Sequence, residues 1–366
     1  MRWLTCSLLL ILVWHSSTAE EPSPRALAQV PLRIQTPLTH VSAAYELSDG
    51  RVLITNAKQP SVLLLDPATG AAARIGEAGA GPGRYAQPGG VYAGPNGTAV
   101  LVDRGQKRAI TISRDGALQD SRSIAVPGGS SSSDADVDFQ RLDARGFVYF
   151  LEGRIAFDEP ERTLVRFDAE AQKMETVARL RKGETRTIPA GDGMTFGRTV
   201  IGSPADGWGV APDGRVAVVR ADPYRVEWYR PGGDVTRGPA IATDAIPMTD
   251  ADRKAFEAQA GDGVRVGRTG GAEPSAANLG RLFADTKPPF SPDDVLVSPD
   301  ARMWVLRSRP HDATAVIYDV FDPTGRRVDR IEVPDGSRVV GFGRGTVYAR
   351  WTDEGGRCEL RKYRIK

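Results

Sequence analysis

The sequence predicts an all-β chain folded as a six-bladed β-propeller of four-stranded antiparallel blades, and three observations lead there. Turn signals recur along its length, at Asp49-Gly50, Asn96-Gly97, Arg145-Gly146, Asp213-Gly214, Asp300-Ala301 and residues 343–345. Their spacings of 47, 49, 68, 87 and about 44 residues give a base period near 45 that is lengthened twice. Short apolar runs lie between the turns, and repeats of about 40 to 50 residues with four short strands each are how a propeller looks in sequence.

In chain order, residues 1–19 read as an export signal. Arg2 supplies the positive start, residues 4–14 the apolar run, and Ser17, Thr18 and Ala19 the small-residue cleavage site. The apolar run is shorter than the roughly 20 residues a spanning helix needs, and no other segment approaches that length. Cleavage after Ala19 predicts a periplasmic or secreted product with no transmembrane segment, from which Cys6 is gone and in which Cys358 stands alone. Such a product has no intramolecular disulfide and relies on its buried core. Residues 20–30 are polar and unpatterned and are expected to be a flexible lead.

A single propeller is then expected over residues 31–366, with blades at about 41–76, 90–126, 137–181, 206–242, 293–333 and 338–366. The last blade offers only three strands. Residues 32–36 have no partner of their own, so they are expected to supply its outer strand and close the ring by joining the chain ends. Two stretches rich in Gly, Pro and Thr, 182–205 and 243–292, break the strand pattern and lie between blades. The second carries Thr249 and Asp252 as a cap pair before ADRKAFEAQA, which predicts a short helical insertion between blades 4 and 5.

One crossing is fully spelled out. GPGRYAQPGGV, from Gly81 to Val91, followed by LVDRGQKRAITISRDG, resembles an NHL repeat. More broadly the chain resembles exported bacterial six-bladed propellers of the NHL and TolB-like kind. That resemblance implies architecture and export rather than a reaction.

Composition and motifs narrow the chemistry. With 48 Lys+Arg against 46 Asp+Glu, interspersed, nucleic acid is not an expected partner. Gly79, Gly81 and Gly83 lead into a strand rather than a helix, which excludes a phosphate loop. HExxH, CxxC and GxSxG are absent, and beyond the signal region only His40 and His311 could act as a base. Long segments (127–137, 153–162, 182–205, 243–292 and 308–314) fall after second and fourth strands, which makes that end of the scaffold the expected working face. Arg104, Lys107, Arg108, Arg220, Tyr224, Arg225, Arg307, Arg309 and Trp351 are its candidate ligand contacts, suited to an anion or acidic glycan.

The expected function is an exported binding or scaffold protein that recognises a protein, peptide or glycan, as a monomer and without a cofactor. The alternative is a calcium-dependent hydrolase or lyase like the propeller lactonases. In that reading Asn56, Asp103 and Glu152, at the ends of second strands, hold the ion, and a histidine acts as base.

Overall fold

The computed structural model describes residues 22–126, 141–152, 159–191, 194–261 and 280–365. The export signal and residues 130–133 of the Ser-rich loop lie outside the described residues. The fold is all-β and propeller-like, with one short α-helix among the described residues. No described helix is long and apolar enough to cross a membrane.

Four-stranded antiparallel meanders follow one another along the chain. The first comprises Ala43–Glu46, Val52–Asn56, Ser61–Leu65 and Ala72–Arg74. The second comprises Pro88–Ala93, Ala99–Asp103, Arg108–Ile112 and Leu118–Ser123. The third comprises Arg141–Leu142, Val148–Glu152, Glu161–Asp168 and Lys173–Arg181, and the fourth Gly207–Val210, Val216–Ala221, Tyr224–Tyr229 and Val235–Arg237. The fifth comprises Phe290–Val297, Met303–Arg307, Val316–Phe321 and Arg327–Val333, and the sixth Ser337–Gly343, Thr346–Thr352 and Cys358–Arg364. The second strand Val52–Asn56 is buried along its whole length and the other second strands over much of theirs, because neighbouring meanders cover their faces. Outermost strands such as Leu118–Ser123 are polar and exposed, as an unpaired edge requires.

Each apolar cluster draws on two successive meanders. Leu53 and Val62 of the first pack with Tyr85, Leu101 and Ile110 at the second, and Val102 and Ile124 continue to Phe150 and Phe167. Tyr149 and Leu164 pack with Trp208 and Val218, Trp228 with Phe290 and Val305, and Trp304 with Phe342 and Val347. Val340, Tyr348 and Cys358 of the sixth meander then pack with Val41 and Ile54 of the first. The first strands of these two also pair directly, Gly341 opposite Ala44 and Phe342 opposite Tyr45. A Cβ at Gly341 would lie 1.7 Å from the Ala44 carbonyl oxygen, so only glycine permits this approach.

Four expectations are corrected. The sixth meander takes its outer strand from Ala28–Val30, which pairs with Cys358–Arg364, whereas residues 32–36 form no strand. Leu32 and Ile34 instead pack onto the seam between the sixth and first meanders. Residues 20–30 are therefore not a free lead over their described part. Arg25–Ala26 also runs parallel to Arg327–Val333, and Arg25 grips Asp329 at 2.5 to 3.1 Å. Pro24 and Pro31 bracket a segment too short to show a period of its own, and its partners lie at the far end of the chain.

Residues 182–205 are not strandless either. Thr185–Gly191 and Met194–Thr199 form a hairpin whose Thr-rich, Gly-containing sequence hides the alternation. The fifth meander begins at Phe290, inside the stretch read as insertion, because Pro289 and Pro292 mimic a turn there.

The two insertions meet. Ile201 donates to the Leu282 carbonyl at 2.6 Å and accepts from Ala284 at 2.9 Å, and Arg186 reaches the Arg281 carbonyl. The helix Asp250–Gly261 starts on the expected capping pair, with Thr249 and Asp252 bonded reciprocally. Its Phe256 stands edge-on to Phe283, with ring centroids 5.8 Å apart. Asp252 also holds Lys287 at 2.6 Å. Burial works against the ionised Asp252 carboxyl, but its bonds to Lys287 and Thr249 prevail and bring its pKa down to about 2.

The crossing between the first and second meanders hangs on Tyr85, fully buried, whose hydroxyl accepts from the Val62 amide at 3.0 Å. Tyr85→Phe keeps the ring and strands that N–H, so urea denaturation should report a loss of about 1–3 kcal/mol. An unchanged midpoint would remove the hydroxyl from the support of this crossing.

Candidate functional site

First strands line a cavity of about 640 Å³, whose wall is formed by residues 43–45, 89–93, 141–142, 209–210, 293–297 and 339–342. The absence of a side chain at Gly89, Gly90, Gly209 and Gly341 lets these strands come together without filling the space between them. The wall is apolar over much of its area, with Val91, Leu142, Val295 and Val339 on it, and its charges are concentrated in a few side chains.

Those charges are Arg104, Arg141, Arg338 and Arg350 against Asp293 and Asp294, with His40 at the rim. Arg338 is paired with Asp294 at 2.6 Å. Among the described residues, no carboxylate lies within ion-pair distance of Arg104, Arg141 or Arg350. Arg141 packs on the Trp208 ring at 4.8 Å, and its Nε has no hydrogen-bond partner among the described residues. Burial away from bulk water disfavours its charge and Arg104 adds repulsion, while Tyr92 and Asp293 act the other way. Asp293 is open to the cavity, and there burial and the neighbouring Asp294 push its carboxyl up while Arg141 opposes them. A polar ligand here would meet guanidiniums that lack a close ion-pair partner and, beside them, the Asp293 carboxyl as a hydrogen-bond acceptor.

Arg350 is the pivot of the rim. Its Nη1 approaches His40 Nε2 at 3.2 Å and donates to the Val41 carbonyl at 3.1 Å. A guanidinium only donates, so Nε2 must present its lone pair and the ring proton sits on Nδ1. Burial, then Arg350, then Lys58 bring the His40 pKa down to about 4, which leaves the imidazole neutral near pH 7. Its one basic nitrogen is occupied, so His40 is poorly set up as a general base. His311 is also engaged, its Nδ1 lying 3.3 Å from Asp252.

The nine contacts expected on the long-loop face do not form one patch. Arg104 alone reaches the axial cavity. Arg108 braces the first crossing, 3.4 Å from Asp103 and bonded to the Gly81 carbonyl, and Lys107 occupies the adjoining turn with φ 49°. Arg220 and Arg225 lie in a separate groove between the third and fourth meanders. There Arg220 is met by Asp206, Glu227 and the Tyr229 hydroxyl at 2.7 to 2.9 Å, and Arg225 by Glu227 at 2.8 Å. Tyr224 is a core residue, bonded to Asp319 at 2.9 Å and stacked among Phe290 and Phe321. Arg307, over the Tyr224 ring, and Arg309, paired with Asp335 at 2.7 Å, line a second cleft with Arg350. Trp351 donates to the Asp335 carbonyl under Arg361.

The candidate calcium donors do not fit that ion. Asn56 gives its oxygen to the Lys58 and Gln59 amides and its amide to Thr39. Asp103, fully buried, accepts from Ala86, Gln87 and Gln106 beside the Arg108 guanidinium, which supplies the charge a cation would. Glu152 is exposed at the end of its strand. Among the described residues no three His, Cys, Asp or Glu side chains gather as a metal site.

Arg141, Asp293, Asp294 and Arg338 were missed because second-strand ends drew the attention. The available signal was charge at the start of first strands, where Arg141-Leu142, Asp293-Asp294-Val295 and Arg338-Val339 put an ion beside an apolar residue bound for the axis.

His40 gives a direct check. Its folded pKa is below the unfolded value of 6.5, so its contribution to stability is complete above that pH and is lost as pH falls toward 4. NMR titration should place its midpoint near 4, and Arg350→Gln should raise it part of the way, burial being the larger cause. A midpoint near 6.5 in the unaltered protein would remove Arg350 as its partner.

No protein-family model matches the sequence, and no curated protein matches it. Among solved structures it is similar to an exported protein from Bacteroides fragilis, at 13% identity and a TM-score of 0.49, covering 95% of this chain and 97% of that one. It is similar also to a gluconolactonase from Xanthomonas campestris, at 11% identity, TM-score 0.45 and 95% and 99% coverage. A third is regucalcin, a calcium-binding protein from Agrobacterium tumefaciens, at 12% identity, TM-score 0.44 and 93% and 96% coverage. Likeness at this level says nothing of what this chain binds or does.

Proposed function

We propose that this chain is an exported, monomeric six-bladed β-propeller that binds a ligand bearing an anionic group in its axial cavity, without a cofactor or chemistry of its own. The closed ring is supported by the cyclic run of seams, each shared by successive meanders, and by the N-terminal strands on the outer edges of the last two. The observation that carries the binding reading is the set of guanidiniums without carboxylate partners, Arg104, Arg141 and Arg350, beside the open Asp293.

Of the expected ligands, an acidic glycan suits this wall better than a protein. Guanidiniums clamp the acid group, Asp293 meets hydroxyls, and the apolar strands take the ring faces. Binding is preferred over lactonase-like hydrolysis or elimination because the histidine at the rim has its lone pair held and the oxygens of Asn56 and Asp103 serve their own loops.

Screened against acidic and neutral glycans and peptides, the protein should retain uronate-containing oligosaccharides, and Arg141→Gln should weaken them roughly tenfold or more. Arg220→Ala, in the self-paired outer groove, should leave them unchanged. Equal binding by the Arg141 variant, or a preference for neutral sugars, rejects the reading. A chelator should leave the melting temperature within about 2 °C, whereas a large drop favours the calcium enzyme.

A further inference from the structure

Beside the axial cavity, and joined to it through Asp294, Arg338 and Arg350, a cleft of about 460 Å³ opens between the fifth and sixth meanders. We propose that this cleft is an oxyanion site for the phosphate or sulfate group of a monoester ligand whose remainder extends into the axial cavity. The inference rests on the axial reading above and gives its ligand a second anionic group, an ester oxyanion, beside the acid group held at the axis.

The wall brings Lys287, Arg307, Arg309, Arg338 and Arg350 together with Asp294 as its one carboxylate. Lys287, Arg309 and Arg338 are each answered, by Asp252, Asp335 and Asp294. Arg307 is answered only in part. Its partner Asp319 serves Arg327 and Arg330 as well, one buried carboxylate against three guanidiniums. Arg350 has neutral acceptors only, and burial disfavours its charge. The cleft is therefore positive after its own pairs are formed, and an entering anion would restore what Arg350 lost on leaving water.

Two further donors point to a ligand. The Ser337 hydroxyl, in a residue only 5% exposed, has no hydrogen-bond partner, and neither has Arg309 Nη1. A buried donor without an acceptor is unfavourable, and these two belong to residues of one wall. The cations come from four separate segments, at 287, 307–309, 338 and 350. A tetrahedral oxyanion accepts from several directions at once, whereas a carboxylate accepts largely in its plane.

Calorimetry on the purified protein at constant ionic strength, with inorganic phosphate, sulfate and acetate, tests this directly. Phosphate or sulfate should bind at least tenfold more tightly than acetate. Arg350→Gln should weaken that ion tenfold or more, and Ser337→Ala about threefold with an unchanged melting temperature. Glucose 6-phosphate against glucose 6-sulfate distinguishes the two sources, and Arg141→Gln should weaken the preferred ester while sparing its inorganic ion. Equal binding of acetate, or full binding by both cleft variants, overturns the proposal. If phosphate is lost in Arg141→Gln but kept in Arg350→Gln, the anion belongs to the axis, so the cleft falls and the axial reading stands. If neither the inorganic ions nor acidic glycans bind, both fall.

Discussion

A sheet that is apolar on both faces cannot stop in water, and that constraint governs the whole molecule. The second strand of each meander is buried over much of its length, so each meander needs cover on both faces, and burial at about 25 cal/mol per Å² outweighs the ordering of the loops between them. The seam between the sixth and first meanders follows from the same need. Tyr348 and Val340 would otherwise stand uncovered, and Val41 and Ile54 would face them across open solvent. The axial cavity is the by-product. First strands of neighbouring meanders approach only as closely as their side chains allow, and what remains between them is lined by whatever their sequences place there.

Two kinds of charge result. At strand ends away from the axis, carboxylates and guanidiniums are consumed by the scaffold: Asp103 holds the first crossing, Asp206 ties Arg181 and Ala221 together, and Asp319 gathers three arginines. These networks fix loops that would otherwise wander. Around the axis the ions are less fully matched, because first strands carry few hydrogen-bonding side chains and the acidic ones are crowded into the fifth meander. An outer pair such as Arg179 with Glu161, 3.9 Å apart and largely solvated, adds little to stability. Arg141, packed on Trp208, pays for burial of its charge, and Tyr92 and Asp293 offset that cost without forming a close ion pair.

The architecture was largely legible in the sequence because it repeats. Turns such as Asp49-Gly50 and Asp213-Gly214 close with the same device, the following arginine bound back to the aspartate at 2.7 Å, and a device used repeatedly leaves a period. The helix was legible because Thr249 and Asp252 are local to each other. The strand Ala28–Val30 was not, since its pairing is decided by residues at the other end of the chain. The site was hardest to read for a related reason. Arg220 and Arg104 look alike in sequence, and what separates them is that Asp206 and Glu227 converge on one and no described carboxylate on the other. Tyr224 shows the same limit: a tyrosine beside a turn reads as a contact until Phe290 and Phe321 bury it.

The clasp between Arg25 and Asp329 spans 304 positions, and Ala28 sits opposite Arg364. Contacts of such high order form late, since their loop-closure entropy must be met before any local contact rewards it. A chain delivered from its N-terminus onward thus holds Arg25–Ala26 unpaired until the fifth meander has emerged, and Ala28–Val30 until the sixth has. Until Arg25–Ala26 docks, the fifth meander presents Arg327–Val333 as a bare edge. Its alternating Arg327, Asp329, Arg330 and Glu332 suit that exposure, because a charged edge resists pairing with other chains while it waits for its own.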